Sequence, residues 1–178
     1  MVVQIFAVVV GILLALAINR WHTNRANAAR AAEANVALND EVTANDRGVT
    51  HALSQVATFS AAMARDAPPA RSPSLPCNEY SGWPGLSVPL LLDAAYRTSI
   101  ASQAFADMSF ARARQIAYVY AEQQAFENHV RNTVQFLVQG HPYPYPYCQQ
   151  LVVNQRTWLE RLHTVYRNFL RPAGSAAR

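Results

Sequence analysis

The stretch FAVVVGILLALAINRWHTNR, residues 6–25, decides how this chain is organised. From Val2 to Ile18 the sequence contains one polar side chain, Gln4, and no charged one. Those seventeen residues would form a helix of roughly 26 Å, at the short end for a bilayer core of about 30 Å. The apolar run therefore predicts a transmembrane helix over residues 1–19.

The residues that follow the run are suited to the membrane surface. Trp21 and His22 have amphipathic rings that favour the headgroup layer, and Arg20 and Arg25 can extend their charges into it. These four residues are predicted as membrane-interface anchors. The charges of Arg20, Arg25 and Arg30 also favour contact with anionic lipid headgroups.

Two other interpretations of the run compete with a membrane anchor. Ala15-Leu16-Ala17 resembles the cleavage site of a secretory signal, but such a signal carries basic residues ahead of its apolar core. Here the amino group is the only positive charge before Phe6. A buried helix of a soluble domain usually keeps a polar face, and this run has none. We therefore expect an anchor that is not cleaved.

The run also contains a stripe of small residues. Ala7, Gly11 and Ala15 recur every four residues, and Asn19 continues the row. Small side chains let a second helix approach closely within lipid, so the stripe predicts packing on the helix of an integral membrane protein. Because alanine and glycine are common in such helices, a chance pattern is the alternative.

The helical pattern continues beyond the run to about Asp66, without proline and with Gly48 as the place for a kink. Residues 20–36 are rich in alanine, asparagine and arginine and predict an interfacial stalk helix. Apolar residues then recur at the spacing of one helix face. They are Leu38, Val42, Val49, Leu53, Val56, Phe59 and Met63.

A Pro-rich loop over 68–88 interrupts the helical pattern. Three more helices are predicted: from Pro89 to Phe105, from Asp107 or Ser109 to Gly140, and from Gln149 to Leu170. Residues 172–178 predict a flexible tail. The predicted fold is all-α, an up-down-up-down bundle over 37–171 whose first helix continues the transmembrane helix.

The two cysteines, Cys77 and Cys148, lie in connections that this topology places at one end of the bundle. We predict a disulfide between them; two unrelated thiols are the alternative. A disulfide indicates an oxidising compartment, which places the domain in a bacterial periplasm, outside the inner membrane. The arginines at 20, 25 and 30 argue against this orientation, because basic residues beside a span usually stay cytoplasmic.

The run VVGILLALAINRW resembles the opening of an uncharacterised bacterial family of small single-pass membrane proteins. Its matching residues are Gly11, Ile12, Ala15, Ile18, Asn19 and Trp21. The segments DAAYRTSIASQAFADM and IAYVYAEQQ are similar to a second block of that family. The resemblance implies a membrane anchor and a helical domain, and it brings no activity with it.

Nothing in the sequence predicts catalysis. The fifteen basic residues give a net charge of +4 but are scattered arginines without a recognition motif, so nucleic-acid binding is not expected. The five histidines lack metal-ligand spacing, and no nucleotide-binding or nucleophile motif is present. The carboxylates Asp40 and Glu41 are expected on a solvated face. We predict no enzyme, cofactor, metal or small-molecule substrate.

The segment HPYPYPYC, beginning at His141, alternates proline and tyrosine and predicts a stiff extended path. Tyr143, Tyr145 and Tyr147, with Trp83, are candidate contacts for a partner. In the interpretation we favour, these rings instead pack over the end of the bundle.

Two functions follow as expectations. The first is an accessory, non-enzymatic subunit that packs on a larger bacterial membrane complex, for which a respiratory or photosynthetic complex is a natural host. The second is a free-standing periplasmic sensor or ligand-binding module anchored in the inner membrane, with a site formed by the loops around Trp83 and Tyr143 to Tyr147.

Overall fold

A computed structural model describes the backbone of residues 2–69, 72–83 and 85–171, and the side chains of these residues from Val10 onward. The helices are α1 (Val2–Arg65), α2 (Ala94–Ala101), α3 (Phe110–Val138) and α4 (Tyr145–Leu170), and Cys77–Glu79 forms a short 3-10 helix. Within this part of the chain the only β pairing is an isolated bridge between Leu75 and Tyr143. The all-α helical class is thus confirmed, and the predicted tail, 172–178, lies outside the described residues.

The first helix, α1, is continuous over 64 residues, about 96 Å. Its buried stripe agrees with the predicted face and includes Leu38, Val42, Val49, Val56 and Met63. Leu53 and Phe59 are partly buried beside it. Gly48 interrupts nothing, because its neighbours keep helical hydrogen bonding and the helix passes through it.

Chain direction alternates through the bundle. α3 runs alongside α1 in the same direction, since Arg112 bonds to Asn39 and, further along both helices, Gln123 bonds to Asn45. α4 returns in the opposite direction from Met63, where Tyr145 donates to the carbonyl oxygen. The core of the bundle lies between α1, α3 and α4.

The second of the four segments of the bundle, residues 85–101, is extended over its first half. Residues 85–93 run down the side of α1, where Ser87 Oγ bonds to Gln55 Oε1 at 2.5 Å. At Leu92 the backbone N–H and C=O both pair with the amide of Asn45, each at 2.8 Å. These contacts hold the chain extended, so α2 covers only the last eight residues before Ser102.

The predicted second helix, from Pro89 to Phe105, was therefore too long. At its end Gln103 adopts a left-handed backbone conformation with φ of 62°. Ser99 O then accepts from the N–H of Phe105 at 3.2 Å, which closes a turn.

The other boundaries differ by a few residues. α3 begins after Ser109, whose hydroxyl accepts from the N–H of Arg112 as the prediction of that cap requires. α4 begins at Tyr145 rather than Gln149, because proline is compatible with the first helical turn. The packed part of α1 begins near Ala31, within the predicted stalk of 20–36, because Ala31 is buried and Arg30 bonds to Ser102 O.

Candidate functional site

The N-terminal part of α1 projects from the bundle. Every described side chain over residues 10–26 is exposed, and we call this segment the arm. Its large apolar side chains are exposed to between 37% and 60% of their area: Val10, Ile12, Leu13, Leu14, Leu16, Ile18 and Trp21. Of the eighteen large apolar side chains that are exposed among the described residues, seven lie in the arm.

Three of the four predicted stripe residues lie in the arm. Gly11, Ala15 and Asn19 are all exposed, and a Cβ added at Gly11 would meet no atom within 4 Å. The side chain of Ala7 lies outside the described residues. In the part of the chain whose side chains are described, none of the helices holds a segment both long and apolar enough to cross a bilayer.

The predicted interface residues lie together at the base of the arm. The rings of Trp21 and His22 meet edge to face, with centroids 5.1 Å apart. The guanidinium of Arg25 lies 5.6 Å from the centroid of the Trp21 ring. Arg20 is exposed on the same turn. Residues 20–25 of α1 therefore present aromatic and cationic groups close together.

At the opposite end of the bundle, Cys77 and Cys148 lie at disulfide-bonding distance, as predicted, with Cα atoms 5.6 Å apart. The same end is closed by the bridge between Leu75 and Tyr143, and the Tyr80 hydroxyl donates to Tyr143 O at 2.6 Å. The Pro-rich connection and the start of α4 are thus joined by both covalent and hydrogen bonds.

The tyrosines of the Pro/Tyr segment do not form one projecting row. Tyr145 is only 7% exposed, and its hydroxyl donates to Met63 O, so it cannot offer its ring to a partner. Tyr143 and Tyr147 stack with centroids 5.0 Å apart and both lie against Phe136 of α3. Trp83 is half-buried against the core. An extended path was predicted for all three tyrosines; it fails because α4 begins at Tyr145.

A polar cluster that was not predicted from the sequence lies within the bundle. Glu41 is buried, although it was expected on a solvated face. Its carboxylate accepts from the backbone N–H of Ala95 at 2.8 Å and from that of Tyr96 at 3.4 Å, so it caps α2 from a neighbouring helix. The Tyr120 hydroxyl donates to the same carboxylate at 2.5 Å.

The cluster continues along α1. Asn45 Nδ2 donates to Gln123 Oε1 at 3.2 Å, and Tyr166 donates to that oxygen at 2.9 Å. Asp46 pairs with His163 Nδ1 at 2.7 Å. Glu41, Asn45 and Asp46 lie on the same face of α1 as Leu38 and Val42. Their helical spacing from these two residues was the signal available in the sequence.

The buried tyrosines of the cluster are held in their neutral form. Burial raises the pKa of Tyr120, and its hydrogen bond to the Glu41 carboxylate raises it further. Burial also raises the pKa of Tyr166, and the nearby charge of Glu127 acts in the same direction. Both hydroxyls act as hydrogen-bond donors, so they link helices of the bundle to one another.

Within the described residues no group of three or more His, Cys, Asp or Glu side chains is arranged to hold a metal ion. His129, which is partly buried, stacks on Trp158 with ring centroids 5.0 Å apart, and burial lowers its pKa. Comparison with protein-family models, with curated proteins and with solved structures finds no match. The resemblance to a bacterial membrane family therefore stays a prediction.

Proposed function

We propose that this protein is a non-enzymatic subunit, anchored in a bacterial inner membrane by its N-terminal helix, that packs on an integral membrane protein. The observation that carries the proposal is the exposed apolar arm, which is continuous with the packed part of α1. A helix whose apolar residues face outward on all sides is unfavourable in water and suits lipid or a membrane-embedded partner.

Lipid around most of the arm is favoured by the free energy of burying its apolar side chains. Fully burying one Leu or Ile side chain is worth about 1.5–3 kcal/mol. Leu13, Leu14, Leu16 and Ile18 each expose more than half of their area. Together with the apolar residues before Val10 in the sequence, they supply the affinity that a permanent anchor needs.

The partner is proposed to contact the stripe of Gly11, Ala15 and Asn19, with Ala7 ahead of it. Helix association in lipid depends on close packing and on hydrogen bonds between helices, and this stripe offers small residues and one amide. The rings at Trp21 and His22 and the arginines beside them would then lie in the headgroup layer.

The pair of cysteines supports a periplasmic position for the bundle, because disulfides persist in oxidising compartments. The non-enzymatic part of the proposal is supported by the polar cluster, in which the oxygens of Glu41 are used by α2 and by Tyr120. Each buried polar contact there joins two elements of the bundle.

Two steps test this function. Carbonate washing of membranes should leave the chain in the membrane fraction. The chain, solubilised in a mild detergent, should then copurify with a partner in fixed stoichiometry, and Gly11→Leu should remove that partner. Because a Cβ at Gly11 meets no atom of the described residues within 4 Å, we expect the variant to leave the bundle intact.

Ala17→Leu is the matched control. It enlarges a residue two positions beyond Ala15, about 200° away around the helix, and should keep the partner. Extraction by carbonate would contradict the anchor. A lone monomer that Gly11→Leu leaves unchanged would contradict the subunit and favour a free-standing module.

A further inference from the structure

A cavity of about 680 Å³ opens at the end of the bundle nearest the arm, between α1, α3 and α4. Its polar lining comes from Asn35 and Asn39 of α1, Ser109 and Gln115 around the start of α3, and Arg112 and Arg171. Phe169 and Leu170 form part of an apolar wall. None of the nine lining residues is acidic.

Arg112 is held in place by neutral groups. Its Nε donates to Asn35 Oδ1 at 2.8 Å and its Nη2 to Asn39 Oδ1 at 2.7 Å. The guanidinium lies over the ring of Phe169, 4.1 Å from the centroid. Asn35 is itself fixed by donating to Ala31 O at 3.1 Å. The guanidinium is therefore positioned without any neutralising charge.

This arrangement differs from that of the arginines that pair with carboxylates. Four arginines of the described chain pair with carboxylates, and the side chain of each is more than half exposed: Arg65, Arg97, Arg156 and Arg161. Arg112 is more buried than these, yet no carboxylate of the described residues lies within ion-pair distance of it. Burial lowers the pKa of Arg112, with no acidic neighbour acting in the opposite direction.

Among the side chains that line the cavity, hydrogen-bond donors outnumber acceptors. A guanidinium has five N–H donors, and three contacts to neutral oxygens, the longest to Gln115 at 3.5 Å, leave two without an acceptor among the described residues. Arg171 adds a second positive charge on the lining, and the Ser109 hydroxyl and the amide of Gln115 can also donate. Two charges and several donors match a phosphate better than a single carboxylate.

We propose that this cavity binds a phosphate group, with Arg112 as its main ligand and Arg171 as the source of a second positive charge. The phosphate can come from a lipid headgroup or from a soluble organic phosphate. Asn35 lies fourteen residues beyond Trp21 on α1, about 21 Å along the axis. A headgroup therefore reaches the cavity only if α1 tilts strongly, whereas a soluble phosphate needs no tilt.

The test uses the full chain in a neutral detergent and measures the thermal unfolding midpoint, Tm, in chloride, acetate and inorganic phosphate at equal ionic strength. Phosphate should raise Tm by about 5 °C at concentrations well above Kd, and acetate should not. Arg112→Gln should abolish the shift, and Arg171→Gln should weaken phosphate binding roughly tenfold. Each variant is compared with its own Tm in chloride.

Arg114→Gln is the matched control, because it removes the charge of an exposed arginine that does not line the cavity. It should respond to phosphate as the unmodified chain does. Transfer into nanodiscs containing phosphatidylglycerol then separates the two sources. If a headgroup fills the cavity, inorganic phosphate no longer raises Tm; if the response persists, the ligand is a soluble phosphate.

The proposal is overturned if acetate raises Tm above its value in chloride as much as phosphate does, or if Arg112→Gln keeps the response. Should Arg112→Gln fail to fold, Arg171→Gln decides the matter, since it leaves the contacts of Arg112 to Asn35 and Asn39 intact. An unchanged phosphate response in that variant rejects the site.

Discussion

The two parts of α1 share one uninterrupted backbone but present different surfaces to their surroundings. In the arm, residues 10–26, the segment 10–18 exposes apolar side chains around its whole circumference, and polar residues predominate from Asn19 onward. From Ala31 to Arg65 the same helix buries one face and keeps the other polar or solvated. The buried face includes Glu41 and Asn45, which bond to other elements of the bundle.

This difference shows that helix continuity and packing are separate properties. The absence of proline keeps α1 helical throughout. The change at about Ala31 is in what surrounds α1. The end of α2, the start of α3 and the end of α4 all lie beside α1 near this residue, so the helix is packed from there onward. Substitutions in the packed part should therefore change the stability of the bundle, and equivalent substitutions in the arm should not.

The largest expected effect comes from the disulfide, which joins the bundle far from the arm. Cys77 and Cys148 are separated by 71 residues, and the chain-entropy model gives about 4 kcal/mol for a loop of that size. Urea unfolding of the full chain in neutral detergent should show this loss when a reductant is added. The reductant should have no further effect on a Cys77→Ser, Cys148→Ser variant; equal stability with and without reductant would contradict the prediction.

A matched pair of leucines compares the two parts of α1 directly. Leu38 is fully buried and Leu14 is 58% exposed. Leu38→Ala should lower the free energy of unfolding of the bundle by about 3 kcal/mol, because it removes buried methyl groups and leaves a cavity. Leu14→Ala should leave it within about 0.5 kcal/mol. Equal losses in the same urea titration would show that the arm folds as part of the bundle.

The polar cluster gives the packed part of the bundle a pH dependence. Burial raises the pKa of Tyr120 and Tyr166 in the folded state. Their contribution to the free energy of unfolding is therefore complete at pH values below about 10, the pKa of tyrosine in the unfolded chain. Stability should fall as pH rises above 10, by up to about 1.4 kcal/mol per pH unit for each tyrosine.

Urea unfolding between pH 9 and pH 11, a range about the ordinary tyrosine pKa, measures this slope. Tyr166→Phe should make the slope shallower. Tyr118→Phe is the control, because Tyr118 is 55% exposed and should leave the slope unchanged. A slope that stays the same in Tyr166→Phe would remove the assigned role of this hydroxyl.

The smallest expected effect compares two glycines of α1. A Cβ at Gly48 would lie 3.7 Å from Pro89 Cβ, an ordinary van der Waals contact. Gly48→Ala should therefore stabilise the bundle by about 0.5–1 kcal/mol, since alanine favours the helix. Gly11→Ala, in the arm, should not alter the urea midpoint of the bundle. A destabilised Gly48→Ala would indicate that residues 89–90 pack on α1 more closely than this.

Individual residues show how far sequence reasoning reached. The apolar spacing from Leu38 to Met63 identified the buried face of α1, because helix periodicity is a local property. The cysteine pairing followed from the alternation of chain direction. The prediction for Glu41 was wrong, because a carboxylate is expected to be solvated when its hydrogen-bond donors are unknown. Its donors, the N-terminus of α2 and Tyr120, come from distant parts of the sequence. The start of α4 was missed because prolines at 144 and 146 mark both an extended segment and a first helical turn.

By itself the sequence determined the helical class, the apolar N-terminal run and the positions at which proline ends a helix, because these depend on neighbouring residues along the chain. Only the tertiary structure decided that residues 85–93 are extended and that Glu41 caps α2 from another helix. It also decided that Arg112 has no acidic partner among the described residues. Each of these features depends on groups that are far apart in the sequence and come together in the fold. A local sequence pattern does not predict such contacts.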